Sequence, residues 1–428
     1  MNYIRSFTNF NDLKDAVEKD HPNLSIKSDE SSNLAIIFNQ DVPDLNPIEA
    51  SCKSLIIERD TLNIIGTQYD NILYNNDALD FLKDKPFNRV TVQKCYEGTT
   101  VLVYYYGDKW FVSTRRCIDA SNSVWIKGLS YRQMFDETAL DCKLDLDTLD
   151  KNYCYHFILV HHKNKNIVNY ANLTNDYKEM YHVLTIEKIT LKEHPDYVIP
   201  NQEETKVKKI TEEKYENIDK ILDDLRIISQ QDEKTKCITT EGFIIKYYLD
   251  DNLFRLLKLQ TNIYKRISKL KPNNSNINQA YLELYQKDKL KFMVPYFTKY
   301  KTEVLNRVHK SMKTLSREIL DLYHITRHQK NPDIYNSLPG QYKTVLYNLH
   351  GMYLKKISNN PEKTEKLDSI NVHDVYHHLK SELKPNELRQ LFYERLTIIE
   401  SPELSLKHTY FDRSCLETMT QSHLMFRA

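Results

Sequence analysis

Lys94-Cys95-Tyr96-Glu97-Gly98-Thr99-Thr100-Val101-Leu102-Val103-Tyr104-Tyr105-Tyr106-Gly107-Asp108-Lys109-Trp110-Phe111-Val112-Ser113-Thr114-Arg115-Arg116 is the stretch from which the fold is read. Residues 101–106 are β-branched, apolar and aromatic, a composition that suits a pleated strand. Gly107-Asp108 interrupts them, and a second such run ends in two arginines. Two turn-forming residues between strand-like runs predict an antiparallel hairpin. That hairpin would set the Lys94 amine, the Glu97 carboxylate and the Arg115–Arg116 pair at the ends of adjoining strands. Such a set suits a lysine nucleophile attacking a nucleotide phosphate. The alternative is a surface hairpin carrying ordinary charges, because short motifs also arise by chance.

Further strands are expected on both sides of the hairpin. Residues 34–38 and 52–58 are apolar runs, and 62–74 alternate loosely enough to pair with the second. Residues 155–162 read as a buried strand that turns at 163–166 into 167–170. Residues 181–187, 241–248 and 254–260 complete the set. Among them stand short helices over 11–18, within 121–150 and over 212–229. The last places Tyr215, Ile218, Ile221, Leu222, Leu225 and Ile228 on one face at helical spacing. Residues 190–209 are charged, carry Pro195 and Pro200, and predict a loop.

Near residue 265 the pattern changes. Met312, Leu315, Ile319 and Leu322 recur at helical spacing, as do Tyr342, Val345, Leu346, Leu349 and Tyr353. Val372, Val375, Tyr376, Leu379 and Leu383 form a third set. Pro385 suits the first turn of a fourth helix, which carries Leu388, Leu391, Phe392 and Leu396. Residues 271–275 read as a linker. The expected class is α+β: an antiparallel-sheet domain over 1–265, then an all-α domain over 276–428.

The net charge of the 428 residues is +1, but it is unevenly spread. Residues 251–428 hold 29 Lys+Arg against 18 Asp+Glu, leaving 31 against 41 for residues 1–250. A basic back half predicts contact with a polyanion such as RNA, through its phosphates. Seven cysteines without a C-x-x-C pair argue for free thiols in a reducing, cytosol-like compartment. No apolar run is long enough for a membrane span, and residues 1–5 lack the layout of a signal peptide. Adjacent histidines at 161–162 and 377–378 are expected to point apart and to be structural or exposed.

In chain order, Lys94…Glu97-Gly98 is followed by the 155–168 strand region. Glu241-Gly242-Phe243-Ile244-Ile245-Lys246 comes next, then Lys258-Leu259-Gln260-Thr261 with Tyr264. This order resembles the motifs of the covalent nucleotidyltransferases, the superfamily of ATP-dependent ligases and capping guanylyltransferases. The resemblance covers about residues 50–265. It implies an antiparallel-sheet nucleotidyltransferase (ATP-grasp-like ligase) domain. The helical tail is similar to that of phage-type RNA ligases and of related proteins in large DNA viruses, which would place the chain in host cytoplasm or a virion.

Residue by residue, the resemblance implies that Lys94 takes up AMP from ATP, with Lys258 assisting. Glu97 and Gly98 would meet the ribose, and Glu241 ribose or Mg²⁺. Lys53, Arg115, Arg116 and Lys246 would meet phosphates, and the AMP would pass to an RNA 5′-phosphate for strand joining. Three positions depart from the pattern. Cys95, not Lys94, stands three residues before the glycine; Ile158 stands where a glutamate is usual; Lys53 replaces an arginine. One residue of slip turns a strand side chain to the other face unless a bulge corrects it. Three readings follow: an ATP-dependent RNA ligase, a non-catalytic nucleotide- or RNA-binding protein with the ligase fold, and a capping guanylyltransferase using GTP.

Overall fold

A computed structural model describes residues 2–40, 42, 45–68, 72–126, 128–164, 166–170, 176–200, 204–250, 253–271, 277–297, 301–359 and 370–400. The chain divides into two units, residues 1–266 and 267–428. The expected α+β class is what the structure shows: sheets whose pairings are antiparallel except at two short edge strands, Lys208–Lys209 and Leu73–Tyr74, followed, among the described residues, by helices.

The first unit opens with α1 (Asn2–Arg5) and α2 (Phe10–Asp20). A four-stranded antiparallel sheet follows, from β1 (Leu24–Asp29), β2 (Leu34–Asn39), β3 (Leu55–Glu58) and β4 (Ile64–Thr67), with α3 (Pro47–Ser51) between β2 and β3. Leu13 and Val17 of α2 pack on Ala35, Ile37, Leu55 and Ile57 of this sheet. The strand expected to begin at residue 52 begins at Leu55, because Cys52 closes α3.

Two five-stranded sheets form the rest of the unit. Their strands are β5 (Leu73–Tyr74), β6 (Val90–Cys95), β7 (Thr99–Tyr106), β8 (Lys109–Ser113), β11 (Tyr153–His161), β12 (Lys178–Glu187), β13 (Lys208–Lys209), β14 (Glu212–Glu213), β15 (Gly242–Asp250) and β16 (Leu253–Gln260). A small hairpin, β9 (Val124–Ile126) and β10 (Leu129–Ser130), stands apart. One sheet runs β13-β12-β11-β7-β8, the other β14-β6-β15-β16-β5. The β7–β8 hairpin forms as expected, with Tyr106 paired to Lys109. Gly107 and Asp108 both hold positive φ, the two-residue turn whose twist matches that of the strands.

Each of these sheets hides one face beneath helices. Met134 and Phe135 of α5 (Tyr131–Asp141) pack on Val101, Tyr155 and Phe157. Ala78 and Leu82 of α4 (Asn75–Leu82), with Ile221 and Leu225 of α6 (Ile218–Thr235), pack on Val90, Val92, Ile245 and Leu257. Burying each such Leu or Ile is worth about 1.5–3 kcal/mol, which fixes the face each strand turns inward. The α6 helix starts six residues later than the periodicity implied. Glu212–Glu213 instead pairs with β6, and the Asn217 side chain caps the helix by accepting from the Lys220 N–H.

The second unit begins within α7 (Asn262–Leu270). It continues through α8 (Ile277–Gln286), α9 (Leu290–Met293), α10 (Lys301–Tyr323), α11 (Pro332–Ser337), α12 (Gly340–Asn359), α13 (Val372–His377) and α14 (Pro385–Glu400). Wider π-helical turns extend α10 over His324–His328 and α13 over His378–Glu382. Met312, Leu315, Ile319, Leu322, Tyr342, Val345, Leu346 and Leu349 are all buried, as their spacing implied. Glu318 of α10 and Arg395 of α14, both fully buried, form an ion pair of 2.5 Å, and the Tyr342 hydroxyl donates to Glu318 at 3.2 Å. Of the expected linker, residues 272–275 lie outside the described residues. No described helix is long and apolar enough to cross a membrane.

Candidate functional site

The two five-stranded sheets enclose a cleft of about 820 Å³, counting its open mouth. Its walls are the faces the helices leave free. From β6 come Gln93 and Cys95, from β15 Ile244 and Lys246, and from β16 Leu256 and Lys258. Ile158, Val183 and Leu184 come from β11 and β12. Tyr96, Glu97, Gly98, Glu241 and Tyr264 complete the lining. The loop and strand ends approach closely at two glycines. A Cβ on Gly98 would stand 2.5 Å from Ile158 Cγ2 and 2.7 Å from the Leu159 carbonyl oxygen. A Cβ on Gly242, whose φ is +151°, would stand 2.1 Å from the Leu259 carbonyl oxygen.

Strand parity decides which β6 side chain enters this cleft. Cys95 pairs with Gly242, Lys94 with Phe243 and Gln93 with Ile244, and the register runs unbroken to Val90. Gln93 and Cys95 therefore face the cleft, while Lys94 shares the opposite face with Val92 and Phe243. Lys94 is exposed and lines a separate groove with Tyr215, Asp224, Ile227 and Ile228. The expectation that a bulge would bring Lys94 to the site is corrected here, since β6 contains none.

Cys95 is buried, and its thiol donates to Glu241 Oε2 at 3.6 Å. Burial pushes the thiol far above its ordinary pKa, and the Glu241 charge adds to this against the opposing pull of Lys258. The sulfur is therefore a protonated, weak nucleophile. Glu241 Oε1 accepts from Lys258 Nζ at 3.0 Å and from Gln260 Nε2 at 2.8 Å. Burial alone would lower the Lys258 pKa, but the opposite charge of the Glu241 carboxylate beside it raises it instead, so Lys258 stays an ammonium. Lys246 is nearly inaccessible and donates to Glu193 at 2.5 Å and Glu212 at 2.9 Å. Burial opposes its charge, and the two carboxylates override burial and hold the proton.

Glu97 has a different task from the one expected. Its Oε2 accepts the Ile167 N–H at 2.5 Å and the Val168 N–H at 2.7 Å. The Tyr170 hydroxyl and Asn166 amide donate to its backbone carbonyl. This carboxylate thus pins the 166–170 segment, which forms no strand. Arg115 lies at the four-stranded sheet, donating to the Asn39 carbonyl at 3.0 Å and to Asn39 Oδ1 at 2.7 Å. Arg116 lies 5.9 Å over the Phe38 ring. Lys53 stands in the bend before β3. None of these three lines the cleft, so the structure brings together Glu97, Gly98, Glu241, Lys246 and Lys258 and leaves Lys94, Lys53, Arg115 and Arg116 elsewhere.

Sequence reasoning missed Glu193 and Glu212. Glu193 is buried and Glu212 partly open, and what marks both is their shared contact with Lys246 across the fold. The histidine expectation also needs correction at 161–162. The two rings stack with centroids 4.4 Å apart, because β11 ends at His161 and the chain coils tightly at His162.

Magnesium, implied by the resemblance, was tested against these donors. Both Glu241 oxygens already accept protein donors, and Glu97 Oε2 takes two backbone N–H groups. A hard cation needs six or more oxygens, several from free carboxylates or water. The described residues hold no group of three His, Cys, Asp or Glu able to bind a metal ion. The described residues thus form no all-protein cage, and because Mg²⁺ keeps several waters and binds through one or two carboxylates with substrate phosphates, Glu241 would meet it only by yielding its bonds to Lys258 and Gln260. The cleft has aromatic and aliphatic walls, whereas both its lysines are already paired with carboxylates.

No protein-family model matches the chain, and no curated protein matches it. Solved structures resemble it distantly. An Aquifex aeolicus protein assigned as an ATP-dependent DNA ligase aligns at 13% identity over 70% of this chain and 76% of its own, with a TM-score of 0.38. Two forms of an archaeal ATP-dependent RNA ligase align at 13% and 12% identity, over 72% of this chain and 79% of theirs, with TM-scores of 0.38 and 0.41. Likenesses this distant say nothing of activity.

Proposed function

We propose that this chain is a non-catalytic nucleotide- and RNA-binding protein with a ligase-like nucleotidyltransferase architecture. Residues 1–265 would hold a nucleotide in the cleft, and the basic residues 276–428 would bind RNA. The observation that carries the first half is the parity of β6: Cys95 faces the cleft and Lys94 the opposite side. A covalent lysyl-nucleotide needs a neutral amine beside the α-phosphate. Lys258 lines the cleft beside Cys95, and the Glu241 carboxylate holds its proton.

In this reading Tyr96, Tyr264, Ile158, Val183 and Phe254 enclose the base and ribose. Lys258 offers the phosphate a charge only by sharing it with Glu241. Lys246, locked between two carboxylates, shapes the wall. Binding is then non-covalent and independent of Mg²⁺, with ATP gaining little over adenosine.

The test is incubation with α-³²P-labelled ATP or GTP, with Mg²⁺ or Mn²⁺, followed by a denaturing gel. No label from either is expected, together with saturable adenosine or AMP binding in calorimetry that EDTA leaves unchanged. Label from ATP that Lys94→Ala removes would overturn this reading and establish the ligase. Label from GTP would establish a guanylyltransferase.

A further inference from the structure

We infer that the surface around the π-helical turn His324–His328 and the adjoining face of α12 is a single-stranded RNA contact, which rests on the RNA half of the function proposed above. The basic excess of the back half is concentrated in the segment that contains this surface. Residues 301–359 carry ten Lys+Arg against four Asp+Glu, so over half of the +11 falls in about a third of the segment. One of those four acids, Glu318, is spent inside the core on Arg395.

Two cations on this surface have no carboxylate partner among the described residues. The Arg327 guanidinium lies 5.2 Å over the Tyr335 ring, and its buried Nε makes no hydrogen bond. Lys343 Nζ lies 6.0 Å from the same ring and donates to the Asn336 carbonyl at 2.8 Å. Beside them is a set of flat rings. His350 and Tyr353, three residues apart on one face of α12, stack with centroids 5.9 Å apart and planes at 24°. His328, which is exposed, lies 6.4 Å from Tyr353 and 4.9 Å from His324.

Unneutralised cations beside partly open rings are what an unpaired nucleic-acid strand needs. Phosphates take the charge and unstacked bases take the rings. A duplex hides its bases and offers the rings nothing, and an acidic peptide offers charge without planes. A π-helical turn costs backbone regularity and is frequently found at functional sites. Here it widens the helix at the residues that display His324, Arg327 and His328.

The experiment measures binding of the full chain to a fluorescent single-stranded RNA of about a dozen nucleotides, by anisotropy across a salt series. Arg327→Glu/Lys343→Glu is expected to weaken binding at least tenfold and to flatten the slope of log K against log salt by about 1.4, the share of two phosphate contacts on a single strand. Tyr353→Ala is expected to weaken it about tenfold. Lys220→Ala/Arg226→Ala, on exposed residues of α6, should leave it unchanged. Lys343→Glu alone keeps the test open if changing Arg327 disturbs the fold. Wild-type binding that both patch variants retain would overturn this site while leaving RNA binding intact. No wild-type binding would overturn both. Equal affinity for a duplex of the same length would overturn the stacking role of the rings.

Discussion

Acid should unfold the first unit through two buried histidines. His156 of β11 and His182 of β12 are both inside the protein. Burial pushes His156 down to about 3, with the nearby His182 charge adding and a hydrogen bond to the Thr67 backbone opposing. Burial likewise pushes His182 down to about 4, helped by Lys209 and Lys246 and opposed by the Leu184 backbone. In an unfolded chain each would titrate near 6.5. Between those limits the unfolded state binds more protons than the folded one, so stability rises with pH. The contribution is complete above about pH 7, is lost as pH falls through 6.5, and stops changing once pH passes below the folded values. From pH 7.5 to 5.0 each group loses about 2 kcal/mol by this linkage, or about 4 kcal/mol together, since both rings are still neutral in the folded state at pH 5.0. His161, also held low by burial against the pull of Glu137, acts in the same direction.

The assay is urea unfolding at pH 7.5, 6.0 and 5.0, followed by tryptophan fluorescence. Both tryptophans, Trp110 and Trp125, lie in the first unit, so the signal reports that unit alone. The urea midpoint should fall steadily with pH, and His156→Gln should remove about half of the fall. A midpoint that is flat from pH 7.5 to 5.0, or a His156→Gln protein with the full wild-type dependence, would refute the argument.

Other expectations follow from single contacts. Cys95→Lys should remain unlabelled by ATP, because the cleft lysines are already paired; a labelled protein would show that only the nucleophile is missing. Gly98→Ala should cost about 1–3 kcal/mol in urea unfolding, since the Leu159 carbonyl cannot move aside as a side chain would; a cost near zero would mean the strand ends are looser than described. Arg395→Met should destabilise the second unit by about 3–5 kcal/mol by leaving the Glu318 carboxylate buried alone, and Arg395→Met/Glu318→Leu should recover most of it. Burial already pushes Glu318 up to about 7 despite Arg395 and Tyr342, so a single variant that keeps full stability would show that the carboxyl is protonated at no cost.

The fold was legible where a period was long enough to show. Strands β7, β8, β12, β15 and β16 and helices α10, α12 and α14 lie where alternation or helical spacing put them. Helices α3 and α4, with five and eight residues, are too short to display a period. Residues 167–170 looked like a strand because Ile167 and Val168 are β-branched. Their N–H groups go instead to Glu97, 70 residues away, which local sequence does not signal. The cleft was half legible for the same reason. Glu241, Lys246 and Lys258 were marked by the motif order that the chain resembles, whereas Glu193, from a loop, and Glu212, from the two-residue β14, reach Lys246 from segments that carry no such motif. Arg115 and Arg116 follow a correctly read strand, but the chain turns back after Ser113, bridging Thr114 to Cys117, and carries them to the other sheet.

The cleft's chemistry turns on two physical facts that act together. A strand offers alternate side chains to one space, so the single step from Lys94 to Cys95 removes an amine without disturbing the backbone around it. The low-dielectric cleft then requires each remaining charge to be matched, because an unpaired buried ion is costly. With no lysine beside it at position 95, Glu241 closes on Lys258, Gln260 and the Cys95 thiol, and Lys246 is closed by Glu193 and Glu212. Each pairing that makes the apo cleft stable withdraws a cation from an incoming phosphate. A polyphosphate would have to draw Lys258 or Lys246 out of a buried ion pair to gain its charge, whereas an uncharged base and ribose would break none. On the non-catalytic reading proposed above, the same bonds would favour an uncharged base and ribose over the polyphosphate that the motif order alone suggests.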